Sequence, residues 1–252
     1  MSLFGKLCAE GRPLLGLWQA LANPYTAEIC AGAGFDWLLF DGEHAPQTAQ
    51  TLVAQLQACA PYSLHPIARV PVGEPAFMKQ YLDIGFETLL VPMVDTAAQA
   101  EALVAATRFP PQGIRGVASA TSRASGFGSN TSYLAEARNR TALICQIETR
   151  AGLSSITQIA AVEGVEALFI GPADLAASLG HLGQPRHPDV QRAIAQALAA
   201  IQGANKPAGI FALDADDARA RIAQGFTFVS VGTDIGVLAN GAKNLRIACL
   251  AG

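Results

Sequence analysis

The chain has 252 residues, with 17 Lys and Arg against 20 Asp and Glu and a formal net charge of −3, a balance that excludes a basic polyanion-binding protein. Hydrophobic residues make up 51% and charged residues 15%, which excludes a disordered chain and falls short of the ~25% charge of an average soluble domain, a weak sign that copies of the chain cover one another. The length suits one α/β barrel as well as it suits two smaller domains.

Residues 1–7 carry one Lys with no apolar core behind it, and no uninterrupted apolar stretch reaches the ~18 residues of a membrane span, so the expected compartment is the cytoplasm. Cys8, Cys30, Cys59, Cys145 and Cys249 are odd in number and never spaced as a metal knuckle or redox pair. They are expected to be reduced and buried.

Along the chain, short apolar runs alternate with longer helical patterns. Strands are predicted over 14–18, 36–41, 66–70, 88–93, 142–148, 167–171, 208–213 and 226–232, with helices between them over 24–33, 45–59, 74–83, 96–107, 152–162, 188–201 and 214–223. Trp37-Leu38-Leu39-Phe40 and Leu89-Leu90-Val91 are apolar at successive positions, as in a parallel sheet covered on both faces. Gly34, Gly85, Gly164, Gly203 and Gly225 stand where helices should stop, and Pro24 and Pro188 near first turns. About eight strand-helix units in one chain favour a single closed (β/α)8 TIM barrel spanning 1–252. An open nucleotide-binding sheet would want glycines after its first strand, where this chain has Trp18-Gln19-Ala20-Leu21-Ala22-Asn23. The last segment, 234–250, is too apolar to be left wet and is expected to pack on its own barrel or on a neighbour.

In a barrel, chemistry collects at the C-terminal ends of the strands. Here the second strand delivers Asp41-Gly42-Glu43-His44, the third Arg69, the fifth Gln146 and Glu148, the sixth Gly171-Pro172-Ala173-Asp174 and the eighth Gly232-Thr233-Asp234. Burying such groups without partners is costly, so they are expected to converge on a ligand. Glu148 and Asp174, oxygen donors from neighbouring strands, suit a hard divalent cation such as Mg²⁺ or Mn²⁺, with a 2-oxo acid and waters completing an octahedron. The competing structural reading pairs Glu148 with Arg150 or Arg69 and has Asp174 cap the helix that follows it.

His44 alone of four histidines ends a strand and can serve as a general base; otherwise it only bonds to Asp41 or Glu43. His65 lies at the opposite, stabilising face, and His181 and His187 fall in the loop after the sixth strand. Arg69 offers a planar fork to a carboxylate or developing oxyanion, or else pairs with those same acids. Lys6, Lys79, Lys206 and Lys243 are the only lysines and none ends a strand, which excludes a Schiff-base mechanism and leaves a metal to stabilise an enolate. Asp83 and the long loop 109–128 start from the wrong end of their own barrel, so if either reaches a catalytic centre it does so most simply across a subunit interface; otherwise the loop is a Pro/Gly-rich surface cover.

Taken in order, Asp41-Gly42-Glu43-His44-Ala45-Pro46, Ala68-Arg69-Val70-Pro71, Val91-Pro92-Met93, Pro110-Pro111-Gln112-Gly113-Ile114-Arg115-Gly116, Gln146-Ile147-Glu148-Thr149 and Phe169-Ile170-Gly171-Pro172-Ala173-Asp174-Leu175-Ala176 resemble the metal-dependent pyruvate aldolases of the HpcH/HpaI family. The likeness runs over nearly the whole chain. It implies a hexameric barrel, a trimer of dimers with the last helix exchanged between partners. It also implies cleavage of a 4-hydroxy-2-oxo acid, such as 4-hydroxy-2-oxoheptanedioate of aromatic catabolism or a 2-keto-3-deoxy sugar acid, to pyruvate and an aldehyde.

By the same resemblance Glu148 and Asp174 hold Mg²⁺, Mn²⁺ or Co²⁺, Arg69 binds substrate oxygen, Asp41 belongs to the substrate-binding set, and His44 assists the base. Gln146, Pro172 and Ala173 meet the pyruvate part, Trp18 and Leu213 line the aldehyde pocket, and Asp83 and Arg123 come from a neighbouring subunit. Two other readings are an acyl-CoA lyase of the citrate or malyl-CoA type, for which no basic cluster is evident, and a non-catalytic metabolite-binding barrel.

Overall fold

The computed structural model describes residues 2–250. The chain runs α1 (Leu3–Cys8), β1 (Leu14–Gln19), α2 (Pro24–Ala31), β2 (Trp37–Asp41), α3 (Ala49–Cys59), β3 (His65–Arg69), α4 (Pro75–Asp83), β4 (Thr88–Val91), α5 (Ala97–Thr107), a 3-10 turn (Arg123–Ser125) and α6 (Tyr133–Arg140). It continues through β5 (Ala142–Ile147), α7 (Arg150–Ser154), α8 (Ile156–Ala161), β6 (Val165–Ile170), α9 (Pro172–Ser178), α10 (Pro188–Gly203), β7 (Ala208–Phe211), α11 (Ala215–Gln224), β8 (Phe228–Thr233) and α12 (Asp234–Leu250). The strands pair in parallel in sequence order and β8 closes on β1, making the expected eight-stranded barrel.

The run Trp37 to Phe40 is buried at every position because alternate side chains serve two cores. Leu38 and Phe40 join the layer between sheet and helices, while Trp37 and Leu39 fill the barrel interior with Phe169 and Phe228. Gly16 makes room for that interior: a Cβ there would lie 2.1 Å from the Trp37 ring. At the strand-entry end α1 plugs the barrel, setting Phe4 5.7 Å from His65 and 5.2 Å from Phe228 between ring centroids. The His65 Nε2 lies 2.7 Å from Thr88 Oγ1. Burial pushes its pKa from 6.5 down to about 4, as suits a residue of the stabilising face.

Local chemistry shifts several predicted boundaries. The third helix begins at Ala49, because Thr48 and Thr51 form a capping box that stops the chain from becoming helical at Ala45. The helix predicted over 152–162 is two helices meeting at Ser155, the first capped by Thr149. Gly203 stays inside α10, and the chain turns at Asn205 with φ 54°. The structure adds two helices that apolar periodicity does not predict, the six-residue α1 and the mainly polar α6.

Of the two expectations for 234–250, packing on its own barrel or on a neighbour, the first is not met. Asp234 anchors the start of α12 by accepting from the backbone N–H groups of Ala20 and Leu21, at 2.8 and 3.1 Å, yet Val237, Leu238, Leu245 and Leu250 beyond it are exposed. The cysteines are free, with Cys59 and Cys145 buried but Cys249 exposed, against the expectation. Among the described residues no helix is long and apolar enough to cross a membrane.

Candidate active site

At the C-terminal end of the barrel, Asp41 from β2 and Arg69 from β3 face each other because their strands pair in register at these two residues. Arg69 donates from Nε to Asp41 Oδ1 at 2.8 Å and from Nη2 to Oδ2 at 2.7 Å, a bidentate fork. Its Nη1 lies 2.8 Å from Glu43 Oε2, and its guanidinium sits 4.4 Å over the Trp18 ring. Burial pushes the Asp41 carboxyl up, but Arg69 and the N–H groups of Glu43 and His44 outweigh it and hold the group below the usual range. Arginine carries five N–H donors, so one on Nη1 and one on Nη2 stay available to a ligand. The salt-bridge reading of Arg69 is therefore correct and leaves its capacity to bind substrate intact.

Glu148, buried just beyond β5, accepts from the Met93 N–H at 2.8 Å through Oε1 and from Gln146 Nε2 through Oε2. The Met93 backbone reaches it from a left-handed conformation, φ 56°. Burial raises the Glu148 pKa, the Gln146 and Met93 hydrogen bonds oppose this, and the charges of Asp174 and Glu43 add to it. Glu43 is likewise raised, by burial first, with Asp41 and Asp174 adding. Negative charge thus gathers around Glu148, Asp174 and Glu43.

The competing structural reading of the carboxylates does not hold. Arg69 is engaged by Asp41 and Glu43, the Arg150 guanidinium reaches the Leu179 carbonyl, and Asp174 stands in the first turn of α9 without capping it. A Cβ at Gly171 would lie 2.6 Å from Glu148 Oε2 and 3.1 Å from Gln146 Nε2, so the absent side chain leaves a cradle beside the carboxylate. An all-oxygen donor set beside that cradle, amid crowded negative charge, fits a hard divalent cation. Gln146 Oε1 and Trp18 Nε1 are buried without protein partners, and such groups are commonly satisfied by ligand or water.

His44 stands at the rim with its side chain 68% exposed and Nε2 3.8 Å from Glu43 Oε2. Pro172 and Ala173 open α9 beside Glu148. Trp18 lies 5.3 Å from Phe211 between ring centroids, while Leu213 falls beyond β7, half-buried. Sequence reasoning missed Phe211 as the Trp18 neighbour and Met93 as a donor to Glu148, whereas both acids it offered to Arg69, Asp41 and Glu43, do pair with it. Period-2 alternation inward from Gly209 would have found Phe211; nothing local announces a backbone N–H such as that of Met93.

Asp83 and Arg123 are not at this mouth. Asp83 ends α4 at the opposite face, where the buried Arg115 donates to it at 2.7 Å and to the Tyr133 hydroxyl at 2.9 Å. Arg123 donates to the Ile84 carbonyl at 3.0 Å.

Residues 14–241 match the family model described as HpcH/HpaI aldolase/citrate lyase. A hydroxypyruvate/pyruvate aldolase of Deinococcus radiodurans is 57% identical, covering 96% of this chain and 87% of that protein. A 4-hydroxy-2-oxo-heptane-1,7-dioate aldolase of Salmonella heidelberg is 49% identical over 93% of this chain and 89% of that protein. The crystal structure of an HpcH/HpaI aldolase/citrate lyase family protein from Burkholderia cenocepacia J2315 superposes with TM-score 0.96 at 41% identity, covering both chains fully. On sequence, fold and the chemistry gathered at the barrel mouth, the chain belongs to the HpcH/HpaI aldolase/citrate lyase family.

Proposed function

We propose that this chain is a divalent-metal-dependent aldolase that reversibly cleaves a 4-hydroxy-2-oxo acid to pyruvate and an aldehyde, at a centre built from Glu148, Asp174, Arg69, His44 and Gln146. The observation that carries the reading is the cradle at Gly171 beside Glu148, where crowded carboxylates call for a cation. When bound there by Glu148 and Asp174, Mg²⁺, Mn²⁺ or Co²⁺ supplies Lewis acidity toward the carboxylate and 2-oxo oxygens of the oxo acid.

Arg69, locked by Asp41 and Glu43, turns its free N–H groups to the 2-oxo oxygen and offsets the negative charge that grows there as the C3–C4 bond breaks. His44, open to solvent at the rim, takes the proton of the 4-hydroxyl as the aldehyde forms, and returns it in the condensing direction. Gln146 and the backbone at Pro172 and Ala173 orient the pyruvate half. Trp18 and Leu213 wall the aldehyde side, and the Arg69 guanidinium stacked on Trp18 keeps that ring in place.

The exposed apolar side chains of α12 support packing against another copy of the chain, and the family resemblance extends this to a homohexamer, a trimer of dimers with α12 exchanged. In that assembly Asp83 and Arg123 serve a neighbour's site, since their own barrel keeps them at its other end.

The test is proton exchange at the pyruvate methyl group in D₂O, followed by NMR. The wild type with Mn²⁺ should exchange, EDTA should stop it, and Glu148→Gln should abolish it with the fold retained by circular dichroism. Exchange that survives EDTA or E148Q refutes the proposal.

A further inference from the structure

The chain carries a second group of metal-ligating side chains, outside the barrel mouth. His181 and His187, in the loop between α9 and α10, and Asp189, in the first turn of α10, bring one donor atom each within 4.8 Å of one another. The His181 Nε2 lies 3.2 Å and the His187 Nδ1 3.8 Å from Asp189 Oδ2. Tetrahedral ligation with bonds of ~2.0–2.2 Å sets neighbouring donors ~3.3–3.6 Å apart, so both separations sit close to that edge. His187 Nδ1 accepts the Asp189 N–H at 3.2 Å as the N-cap of α10, so its lone pair is on the acceptor side of the ring, and a metal bound there takes the place of that one hydrogen bond.

We propose that His181, His187 and Asp189 form a binding site for a borderline divalent cation of the Zn²⁺ kind, independent of the oxygen site at Glu148 and Asp174. Two imidazoles and one carboxylate are the donors such an ion selects, whereas Mg²⁺ prefers oxygen alone. Water completes the fourth position. The two rings stack 3.6 Å apart at 15°, so an ion held by both would draw each ring out of the stack by rotation about its Cβ–Cγ bond.

The competing cations are Arg150 and Arg192, which share the hollow of about 350 Å³ beside the cluster. Arg192 pairs with Asp189 from a side chain 68% exposed, and an exposed pair of this kind contributes little and yields readily to a metal. The Arg150 guanidinium turns instead to the Leu179 carbonyl at 3.5 Å. The ion would clip the loop that joins the end of α9 to the start of α10. The Arg150 N–H already ties that end of α9 to α7 by donating to Ser178 Oγ at 2.9 Å, so the clip would stiffen the segment without touching the reacting atoms.

Co²⁺ reports the ligands directly, because tetrahedral nitrogen-oxygen ligation gives strong visible bands and octahedral oxygen ligation weak ones. Metal-stripped wild-type protein saturated with Mg²⁺, and separately the Glu148→Gln/Asp174→Asn variant, are titrated with Co²⁺. Both should develop strong bands that Zn²⁺ erases, with Zn²⁺ raising the melting temperature. His181→Ala or Asp189→Asn in either background should remove the bands and weaken Co²⁺ binding by ~10-fold or more. Absence of the bands in both backgrounds, or bands unchanged by H181A and D189N, overturns the assignment. Neither result bears on the aldolase reading, which the D₂O experiment tests alone.

Discussion

His65 makes the stability of the barrel depend on pH in a calculable way. It is 3% exposed at the strand-entry end, under Phe4, with Thr88 as its side-chain partner and Nδ1 left without one. Burial disfavours the charged ring and takes its pKa from 6.5 to about 4. Between these values the unfolded chain binds a proton that the native chain refuses. Stability is therefore complete above pH 6.5, falls as pH drops, and has lost its full share below about 4. At ~1.36 kcal/mol per pH unit, the interval corresponds to about 3 kcal/mol, a large fraction of a domain's net stability.

His65→Gln keeps a polar group near Thr88 and removes the titration. Urea unfolding followed by tryptophan fluorescence, at intervals from pH 7 to pH 4, should show the wild type losing about 3 kcal/mol more than H65Q across the range. The comparison cancels the exposed histidines and the carboxylates, which both proteins share. Parallel loss in the two would refute the argument, and so would an NMR titration of the native His65 ring near its ordinary value.

Arg69→Lys removes the fork to Asp41 and one of the two free donors; pyruvate release should fall ~10²–10³-fold in kcat/KM, and an unchanged rate would separate Arg69 from the reaction. Gly171→Ala puts a Cβ 2.6 Å from Glu148 Oε2, so Mn²⁺ affinity measured by calorimetry should drop ~10–100-fold; unaltered affinity would place the metal elsewhere. Val237→Asp with Leu238→Asp puts charge on the exposed apolar face of α12, and light scattering should then show a smaller assembly than the wild type. A wild-type mass in the double variant would mean that α12 is not the contact.

The barrel and most of the mouth could be read from the chain because their signals are local and repeat. Eight apolar runs at regular spacing define the closed sheet, polar residues at the ends of five of them define the face where the chemistry gathers, and the ordered motifs from Asp41 to Ala176 resemble those of metal-dependent aldolases. Lysine placement, with none of the four at a strand end, argues against the imine route.

Tertiary structure decided what depends on distance. Whether Arg69 spends its donors on Asp41 and Glu43 or keeps some for a ligand is a matter of ångströms across β2 and β3. That Glu148 is held by a Met93 N–H and a Gln146 amide, rather than by an arginine, follows from a left-handed turn with no sequence signature of its own. The fate of α12 was equally hidden: its apolar residues predict burial, but only the packed fold shows that its own barrel leaves Val237, Leu238 and Leu245 uncovered. Periodicity reports which side chains avoid water; it carries no information on which surface, of this copy or another, will cover them.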